Sequence, residues 1–383
     1  MTEFPRANTA IVGAATFGTG KAPGFAASEL AAIASGRALA QAGLTPKDVD
    51  GLFFVHGTDT LGGLSFAQYL GIRPKITNNN RTGGSAFQTM VEDAAWLLGA
   101  GAIDVALVAC GSNQASALGK LVSTVQPSPY EAPYRPMNPL SSYALAAARH
   151  MHCFGTTREQ LGAVAIAARQ WAELNPEAYL QTPLTMDEYL AARLISDPFS
   201  KHDCCLVTDG AAAIVMVRAD RARDLAANPV YVLGAASETS HREIMCMPDL
   251  TVTAARESGA RAYAAAGISP ADVDVALLYD AFTINTILFL EDLAFCPKGE
   301  GGRFVGDGSI APGGTFPVNT NGGGLACTHP GMYGLFTIVE GVRQLRGECG
   351  ARQVAGAEVA LAHGNGGVLS SQATVILGSD ATR

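Results

Sequence analysis

Apolar and polar positions follow the same order in two separate parts of the chain. Residues 37–50 and residues 261–274 are identical at nine of fourteen positions, with a constant offset of 224. In each copy an alanine-rich helix ends at a glycine, which suits the left-handed position that follows a helix. A Thr-Pro or Ser-Pro step then provides a cap and a first helical residue. An apolar run long enough for a buried strand comes next, so the pattern predicts a duplicated α/β unit.

The second part of each half repeats the order of a helix and then a strand. One half has a predicted helix over residues 92–100 and a strand over 105–109, and the other has a helix over 340–346 and a strand over 359–362. Alternation of strands and helices is typical of parallel sheets covered by helices. Two such halves predict an α/β protein built as a pseudo-twofold α/β/α sandwich.

The region between the two halves differs in composition from both of them. Residues 115–204 are richer in proline, tyrosine and methionine, which predicts an inserted loop domain. The N-terminal half is then formed by residues 1–114 and 205–230, and the C-terminal half by residues 231–383. Loops held on a rigid scaffold are where ligand pockets form, so we expect this inserted domain to border the site.

Charge and composition exclude several classes of function. The formal net charge of −8 argues against a general nucleic-acid binder, which would carry a basic face. The N-terminus does not resemble a signal peptide, and no apolar run approaches the length of a membrane helix. The eight cysteines are scattered without a Cys-x-x-Cys pair, which predicts a reduced, cytoplasmic chain. Since no metal-ligand spacing and no nucleotide-binding loop is present, we expect no metal and no cofactor other than the coenzyme A of a substrate.

Four motifs together identify a family. Residues 319–324 read NTNGGG and precede THPG, residues 208–213 read TDGAAA, residues 279–283 read YDAFT, and residues 299–302 read GEGG. In this order, and over essentially the whole chain, they resemble the signatures of the thiolase superfamily, and the last two resemble its sterol-carrier-protein branch. The resemblance implies the thiolase fold, in which duplicated α/β/α halves form a five-layered sandwich with an inserted loop domain.

Three positions depart from ordinary thiolases. The position that matches the nucleophilic cysteine is Gly84, the second catalytic cysteine matches His363, and the asparagine that helps to bind the thioester oxygen matches Tyr279. In these respects the chain resembles the lipid-transfer-protein members, some of which are steroid side-chain retro-aldolases. A glycine cannot carry an acyl group, so acyl transfer loses its nucleophile. We therefore expect retro-aldol cleavage of a 3-hydroxyacyl-CoA to a ketone or aldehyde and a shorter acyl-CoA.

Four residues are candidates for the chemistry. His329 is predicted to stabilise an oxyanion and to help as a general acid, and His363 to transfer a proton at the α-carbon near neutral pH. Tyr279 can hold a ligand oxygen or take a proton, and Ser85 is a helix cap, an oxyanion donor or a weak replacement nucleophile. Each also has a purely structural interpretation: a hydrogen-bonded core histidine, a strand-end histidine that caps a carbonyl, or a core tyrosine with a polar tip.

Five further residues are predicted to line the pocket. Gly83 and Gly84 are expected to make room for a bulky or branched acyl chain. Cys327 is either a thiolate or a small buried hydrophobe. Asp280 is expected to fix loop geometry rather than to perform chemistry. The predicted substrate-binding set is Gly84, Asn321, Cys327, Tyr333 and Gly366.

Two other functions stay open at this point. One is a true thiolase or acyltransferase that uses Ser85 or Cys327, and the other is a non-catalytic acyl-CoA or lipid-binding homologue. The resemblance also implies a homodimer. It further implies, for some members, a mixed complex with a small acyl-CoA-binding partner that carries an OB-fold and a zinc ribbon.

Overall fold

The structure is a computed structural model that describes residues 4–57, 59–119 and 128–383. Residues 1–3, residue 58 and residues 120–127, the last range inside the predicted inserted domain, lie outside the described part. The strands of the described part are β1 Thr9–Gly20, β2 Gly51–His56, β3 Ile76–Asn78, β4 Val105–Ser112, β5 Leu194–Ser196, β6 Phe199–Ser200, β7 Asp209–Arg218, β8 Val230–Thr239, β9 Val275–Leu278, β10 Val359–Gly366 and β11 Ser371–Gly378.

The helices alternate with these strands and also fill the region between β4 and β7. They are α1 Ala27–Gln41, α2 Gly62–Leu70, α3 Ala86–Gly99, α4 Gln114–Leu118, α5 Leu140–Phe154, α6 Arg158–Glu173, α7 Met186–Ala191, α8 Ala219–Leu225, α9 Ala255–Ala266, α10 Thr283–Asp292, α11 Gly301–Gly306 and α12 Gly334–Arg346. No helix in the described ranges is both long enough and apolar enough to cross a bilayer.

Nine strands form one sheet in the order β3-β2-β4-β7-β1-β8-β11-β10-β9, and β5 pairs with β6 in a separate hairpin. Strand β2 is parallel to β3 and β4, and β9 is parallel to β10, whereas the middle of the sheet is antiparallel. The prediction of parallel sheets is therefore wrong for the middle strands. Strands β10 and β11 are joined by residues 367–370 alone, and so short a connection can join only antiparallel neighbours.

Helices cover the outer face of each half of the sheet, and further helices lie between the two halves. Helix α1 covers β1, β4 and β7 from outside, and α9 covers β8 and β11 in the same way. Helices α3 and α12 contact strands of both halves and therefore form the layer between them. This arrangement agrees with the predicted five-layered sandwich, and the two halves meet where β1 pairs with β8. The predicted domain boundaries stay a prediction.

The two halves repeat each other in atomic detail. Gly43 and Gly267 both adopt the left-handed conformation, with φ of 63° and 67°. The carboxylate of Asp50 accepts hydrogen bonds from the backbone N–H groups at the start of β4, and Asp274 does the same at the start of β10. Because Asp274 lies 224 residues after Asp50, the duplication seen in the sequence is also a duplication of contacts.

Small residues let each outer helix lie directly on its strand. A methyl group on Gly13 of β1 would lie 1.9 Å from the Ala38 carbonyl oxygen, and one on Gly234 of β8 would lie 2.4 Å from the Ala262 carbonyl oxygen. Ala38 and Ala262 are equivalent positions of the repeat. The alanine-rich composition of α1 and α9 therefore reflects close packing of backbone on backbone.

Candidate active site

A cavity of about 460 Å³ lies where the carboxyl ends of β2, β4 and β9 meet. The N-terminal half contributes Gly84 and the end of β4. The C-terminal half contributes Tyr279, His329 and Asn365, and helix α5 of the inserted region contributes Tyr143. The cavity is therefore built from both halves and from the region inserted between them, as predicted for a ligand pocket on this scaffold.

Tyr279 follows directly after β9 and is held there by the segment that carries the glycine-rich motif. The Asn319 side-chain oxygen accepts the Leu278 N–H at 2.6 Å, and an Asp280 carboxylate oxygen accepts the Gly324 N–H at 2.6 Å. A methyl group on Gly323 would lie 2.0 Å from the Asp280 carboxylate, so only glycine fits there. Asp280 thus fixes the geometry of the loop, as the sequence predicted.

His329 leaves the same segment through a π-helical turn at Gly323–Cys327. Its backbone N–H donates to Thr208 Oγ1 at 2.9 Å, and its carbonyl oxygen accepts from Gln114 Nε2 at 2.9 Å. These bonds tie the THPG motif to the TDGAAA motif and to the end of β4. The backbone of His329 is therefore fixed in position from two sides.

Tyr279 and His329 form a hydrogen-bonded pair in the cavity. The Tyr279 hydroxyl lies 3.0 Å from His329 Nε2, and the Tyr333 backbone N–H donates to the same hydroxyl oxygen at 3.2 Å. Burial raises the pKa of Tyr279 well above its ordinary value and lowers the pKa of His329 to about 4. Both groups are therefore neutral at neutral pH. Within the described part of the chain, His329 Nδ1 is buried without a hydrogen-bond partner.

The Tyr279 ring occupies the space beside Gly84. A methyl group on Gly84 would lie 1.9 Å from Tyr279 Cε2 and 2.5 Å from Cζ. A methyl group on Gly83, whose φ is 100°, would lie 2.8 Å from the Gly366 Cα. Both glycines line the cavity, and the space directly beside their Cα atoms is filled by the phenol ring and by the Gly366 backbone, so their role in making room for an acyl chain stays a prediction.

Comparison with known proteins places this site in a family. The C-terminal part, residues 236–379, matches the family model described as "Thiolase C-terminal domain-like". The chain is 37% identical to the 17-hydroxy-3-oxo-4-pregnene-20-carboxyl-CoA lyase of Mycobacterium tuberculosis, over 94% of this chain and 97% of the relative. It is 33% identical to the steroid side-chain-cleaving aldolase of Thermomonospora curvata, over 91% and 92%. The chain belongs to the thiolase superfamily.

A solved structure assigns the branch within the superfamily. The structure titled "Ltp2-ChsH2(DUF35) aldolase" superposes on the chain with a TM-score of 0.89 and 32% identity, and it covers 98% of each chain. Sterol carrier protein 2 of Bos taurus is 29% identical over 88% of the chain. The predicted thiolase fold and the predicted branch, that of the sterol-carrier-protein thiolases and retro-aldolases, are both confirmed.

His363 does not line the thiolase-type cavity. Its Nδ1 lies 2.9 Å from Thr374 Oγ1, its Nε2 lies 2.9 Å from Gln372 Oε1, and its ring packs edge-on against Phe289. Burial lowers the pKa of His363 to about 4. The structure thus brings Tyr279 and His329 together, and it places His363 behind the cavity wall with both ring nitrogens occupied.

Ser85 precedes α3 but makes no capping bond. Its hydroxyl donates to Ser371 Oγ at 2.9 Å and lies 3.2 Å from Thr82 Oγ1. The helix-cap interpretation is therefore wrong, because the side chain turns toward β11 instead of toward the helix. Since Ser85 is fully buried and does not line the cavity, its roles as oxyanion donor or nucleophile stay predictions.

The remaining predicted pocket residues surround the cavity rather than face it. Tyr333 donates its hydroxyl to Asn321 Oδ1 at 2.8 Å, and that oxygen also accepts the Gly323 N–H. The Cys327 thiol lies 3.6 Å from Asn175 Nδ2, and burial raises its pKa, so the thiol form is favoured over a thiolate. Of the predicted substrate-binding set, Gly84 alone lines the cavity.

Two functional candidates were missed by sequence reasoning. Asn365 lies two residues beyond His363 on β10, and Tyr143 lies in the inserted helix α5, and both line the cavity. Strand alternation places Asn365 on the same face as His363, which was the available signal. No group of three or more His, Cys, Asp or Glu side chains in the described ranges is placed to hold a metal ion.

The two buried histidines predict an acid dependence of stability. The pKa of each histidine is about 4 in the folded protein, against an ordinary value of 6.5. Between pH 4 and pH 6.5 the unfolded chain therefore binds more protons than the folded protein. The free energy of unfolding should therefore fall as the pH drops from 6.5 to 4, by up to about 1.4 kcal/mol per pH unit for each histidine. Urea unfolding across this window should give a shallower dependence for His363→Gln than for the wild type. An unchanged slope would contradict the assignment.

Proposed function

We propose that the chain is a C–C lyase that cleaves a 3-hydroxyacyl-CoA by a retro-aldol reaction, giving a ketone or aldehyde and a shorter acyl-CoA. The proposal depends most on one observation: the Tyr279 hydroxyl, bonded to His329 Nε2 at 3.0 Å, occupies the cavity beside the position where a thiolase nucleophile would be. The two relatives named as a CoA lyase and a side-chain-cleaving aldolase support the same reaction class.

The proton movements follow from the Tyr279–His329 pair. The substrate β-hydroxyl gives its proton to the Tyr279 oxygen while the phenol proton passes to His329 Nε2. The electrons of the O–H bond form the carbonyl, and those of the broken C–C bond form the thioester enolate. His329 then returns its proton to the Tyr279 oxygen while the phenol proton passes to the α-carbon, so both side chains are neutral again at the end of the reaction. The Tyr333 N–H stabilises the phenol oxygen while negative charge develops on it.

The cysteines at and beside this site are poor nucleophiles for acyl transfer. Burial raises the pKa of Cys110, which lines the cavity, to about 12, and burial also raises the pKa of Cys327. Both sulfurs are therefore in the less reactive thiol form. This supports lyase chemistry over the alternative of a thiolase or acyltransferase, and we propose that the reaction needs no cofactor beyond the coenzyme A of the substrate.

A comparison of two substrates tests the proposed function. A 3-hydroxyacyl-CoA with a tertiary hydroxyl, supplied without free CoA, should be cleaved to a ketone and an acyl-CoA detected by mass spectrometry. Acetoacetyl-CoA supplied with free CoA should not be cleaved. Turnover of acetoacetyl-CoA with free CoA alone would favour the acyltransferase. Binding of both CoA esters without turnover would favour a non-catalytic homologue.

We also propose that the protein acts in the cytoplasm as a homodimer. Edge strand β3 pairs only with β2 among the described strands, and Leu61, Leu64 and Tyr69 beside it are more than half exposed. An open strand edge beside apolar side chains favours pairing with a second copy. Light scattering should give a dimer mass for the wild type and a lower mass for Leu64→Asp, whereas Leu145→Asp on α5 should leave the dimer intact.

A partner protein is a further part of the proposal. The name of the similar solved structure, "Ltp2-ChsH2(DUF35) aldolase", suggests a partner protein. We propose that this chain likewise works with a small acyl-CoA-binding protein that carries an OB-fold and a zinc ribbon. Addition of such a partner should raise the cleavage rate at low substrate concentration, and an unchanged rate would argue that the chain acts alone.

A further inference from the structure

A chain of buried side chains connects His363 to the cavity. His363 and Asn365 lie on the same face of β10, and Gln372 of the neighbouring β11 bridges them. Gln372 Oε1 lies 2.9 Å from His363 Nε2, and Gln372 Nε2 donates to Asn365 Oδ1 at 2.8 Å. Asn365 Nδ2 then donates to the Tyr143 hydroxyl at 2.8 Å, and this hydroxyl donates to the Gly367 carbonyl oxygen at 3.1 Å.

The last acceptor of this series of side chains, the Gly367 carbonyl oxygen, determines the direction of every hydrogen bond before it. The Gly367 carbonyl can only accept, so Tyr143 donates to it and its oxygen accepts from the Asn365 amide nitrogen. The Asn365 oxygen therefore faces the Gln372 nitrogen, and the Gln372 oxygen faces His363. The histidine consequently carries its proton on Nε2, and Nδ1 accepts from the Thr374 hydroxyl at 2.9 Å. His363 is thus the neutral tautomer that sets the orientation of two amides.

In this hydrogen-bonded series, Asn365 is the residue whose side-chain amide borders the cavity. It is 2% exposed, it lines the cavity, and its NH₂ group has two hydrogens, one of which is used by Tyr143. The second hydrogen finds no protein acceptor among the described residues. If the amide were turned over, its oxygen would replace this donor, so the orientation decides which kind of ligand atom is bound.

We propose that Asn365 donates a hydrogen bond to the thioester carbonyl oxygen of the substrate, and that His363 and Gln372 are positioning residues that hold its amide in the donating orientation. This rests on the proposed function, in which Tyr279 and His329 act on the β-oxygen of the same molecule. The thioester oxygen gains negative charge as the enolate forms, and a preorganised buried donor stabilises such charge strongly. His363 then acts through Gln372 and does not move a proton itself.

Asn365→Leu should lower kcat about 100-fold, because loss of one oxyanion donor has effects of 10²–10³ in rate. Gln372→Met and His363→Gln should each lower kcat about 10-fold without removing an ionisation from the pH profile of kcat. The double variant N365L/Q372M should be no slower than N365L, because both changes act on one amide. As a control, Gln353→Met removes half-buried amide bonds to the Gln344 and Val354 carbonyl oxygens away from the cavity and should leave kcat unchanged.

Binding of acetyl-CoA separates this inference from the proposed function, because this ester has a thioester oxygen but no β-hydroxyl. Calorimetry should show about tenfold weaker binding to N365L than to the wild type, whether or not the wild type cleaves a 3-hydroxyacyl-CoA. Equal affinity for both proteins would overturn the role of Asn365. Two results together would overturn the positioning role. If His363→Gln lost one ionisation from the pH profile of kcat while Gln372→Met kept the wild-type kcat, His363 would be a proton-transfer group.

Discussion

Tyr279→Phe should lower kcat for cleavage of a 3-hydroxyacyl-CoA about 1000-fold, within the 10²–10⁴ range of a general acid–base group. The change removes the one hydroxyl that contacts His329 Nε2 and accepts the Tyr333 N–H, so the proton of the β-hydroxyl has no path to the α-carbon. The phenylalanine ring still fills the space beside Gly84, so the fold should be retained. Initial rates of ketone release and a thermal melt of the same sample measure both effects.

Tyr263→Phe is the matched control for this change. Its phenol is also buried and donates to the Leu293 carbonyl oxygen at 3.0 Å, but Tyr263 does not line the cavity. Either variant leaves a buried group unpaired, at a cost of about 1–3 kcal/mol in stability. We expect Tyr263→Phe to keep wild-type kcat. Equal losses of activity in the two variants would show that stability, and not proton transfer, limits the rate.

Gly84→Ala should be both destabilised and strongly impaired in catalysis. Its new methyl group would lie 1.9 Å from the Tyr279 ring, so the ring must move away from His329 or the α3 start must shift. Overpacking of this kind costs about 1–3 kcal/mol, and a displaced phenol should lower kcat about 100-fold. The Gly84 backbone itself is not in the left-handed region, so an alanine is tolerated there apart from this contact.

A second substitution tests the origin of this effect. In a Tyr279→Ala background the ring is absent, so adding Gly84→Ala should cost almost no further stability. Urea unfolding of the wild type, both single variants and the double variant gives the interaction energy between the two positions. Strictly additive losses would mean that the clash is not with Tyr279, and the account of the vacant nucleophile position would then be wrong.

Much of the fold could be predicted because the chain repeats itself. The nine identities between residues 37–50 and 261–274 correspond to equivalent helix ends and to equivalent contacts of Asp50 and Asp274. The direction of the middle strands could not be predicted, because an apolar run indicates burial and not direction. Only the short connection between β10 and β11 contains that information.

The site could be predicted in part. The motifs predicted one site for Tyr279 and His329, and the structure shows them in one cavity. Asn319 and Asp280 link the end of β9 to the glycine-rich segment that precedes His329. The position of His363 behind the wall depends on which side chain of β11 lies next to it. That contact depends on the register between β10 and β11, which the sequence motifs do not specify.

The glycines beside the missing nucleophile show a second limit of sequence reasoning. A glycine in a motif indicates that space is needed, but it does not say what fills the space. Here the occupants are the ring of Tyr279 and the backbone of Gly366, both of which lie far from Gly84 in the sequence.

The most direct test of the central claim follows the reaction in heavy water without free CoA. Cleavage of a tertiary 3-hydroxyacyl-CoA through a Tyr279-mediated proton transfer should release ketone and acyl-CoA in equal amounts, with one deuterium on the α-carbon of the acyl-CoA and no added mass on the protein. Release that begins only when free CoA is supplied, or an acyl group found on the protein by intact mass spectrometry, would contradict it.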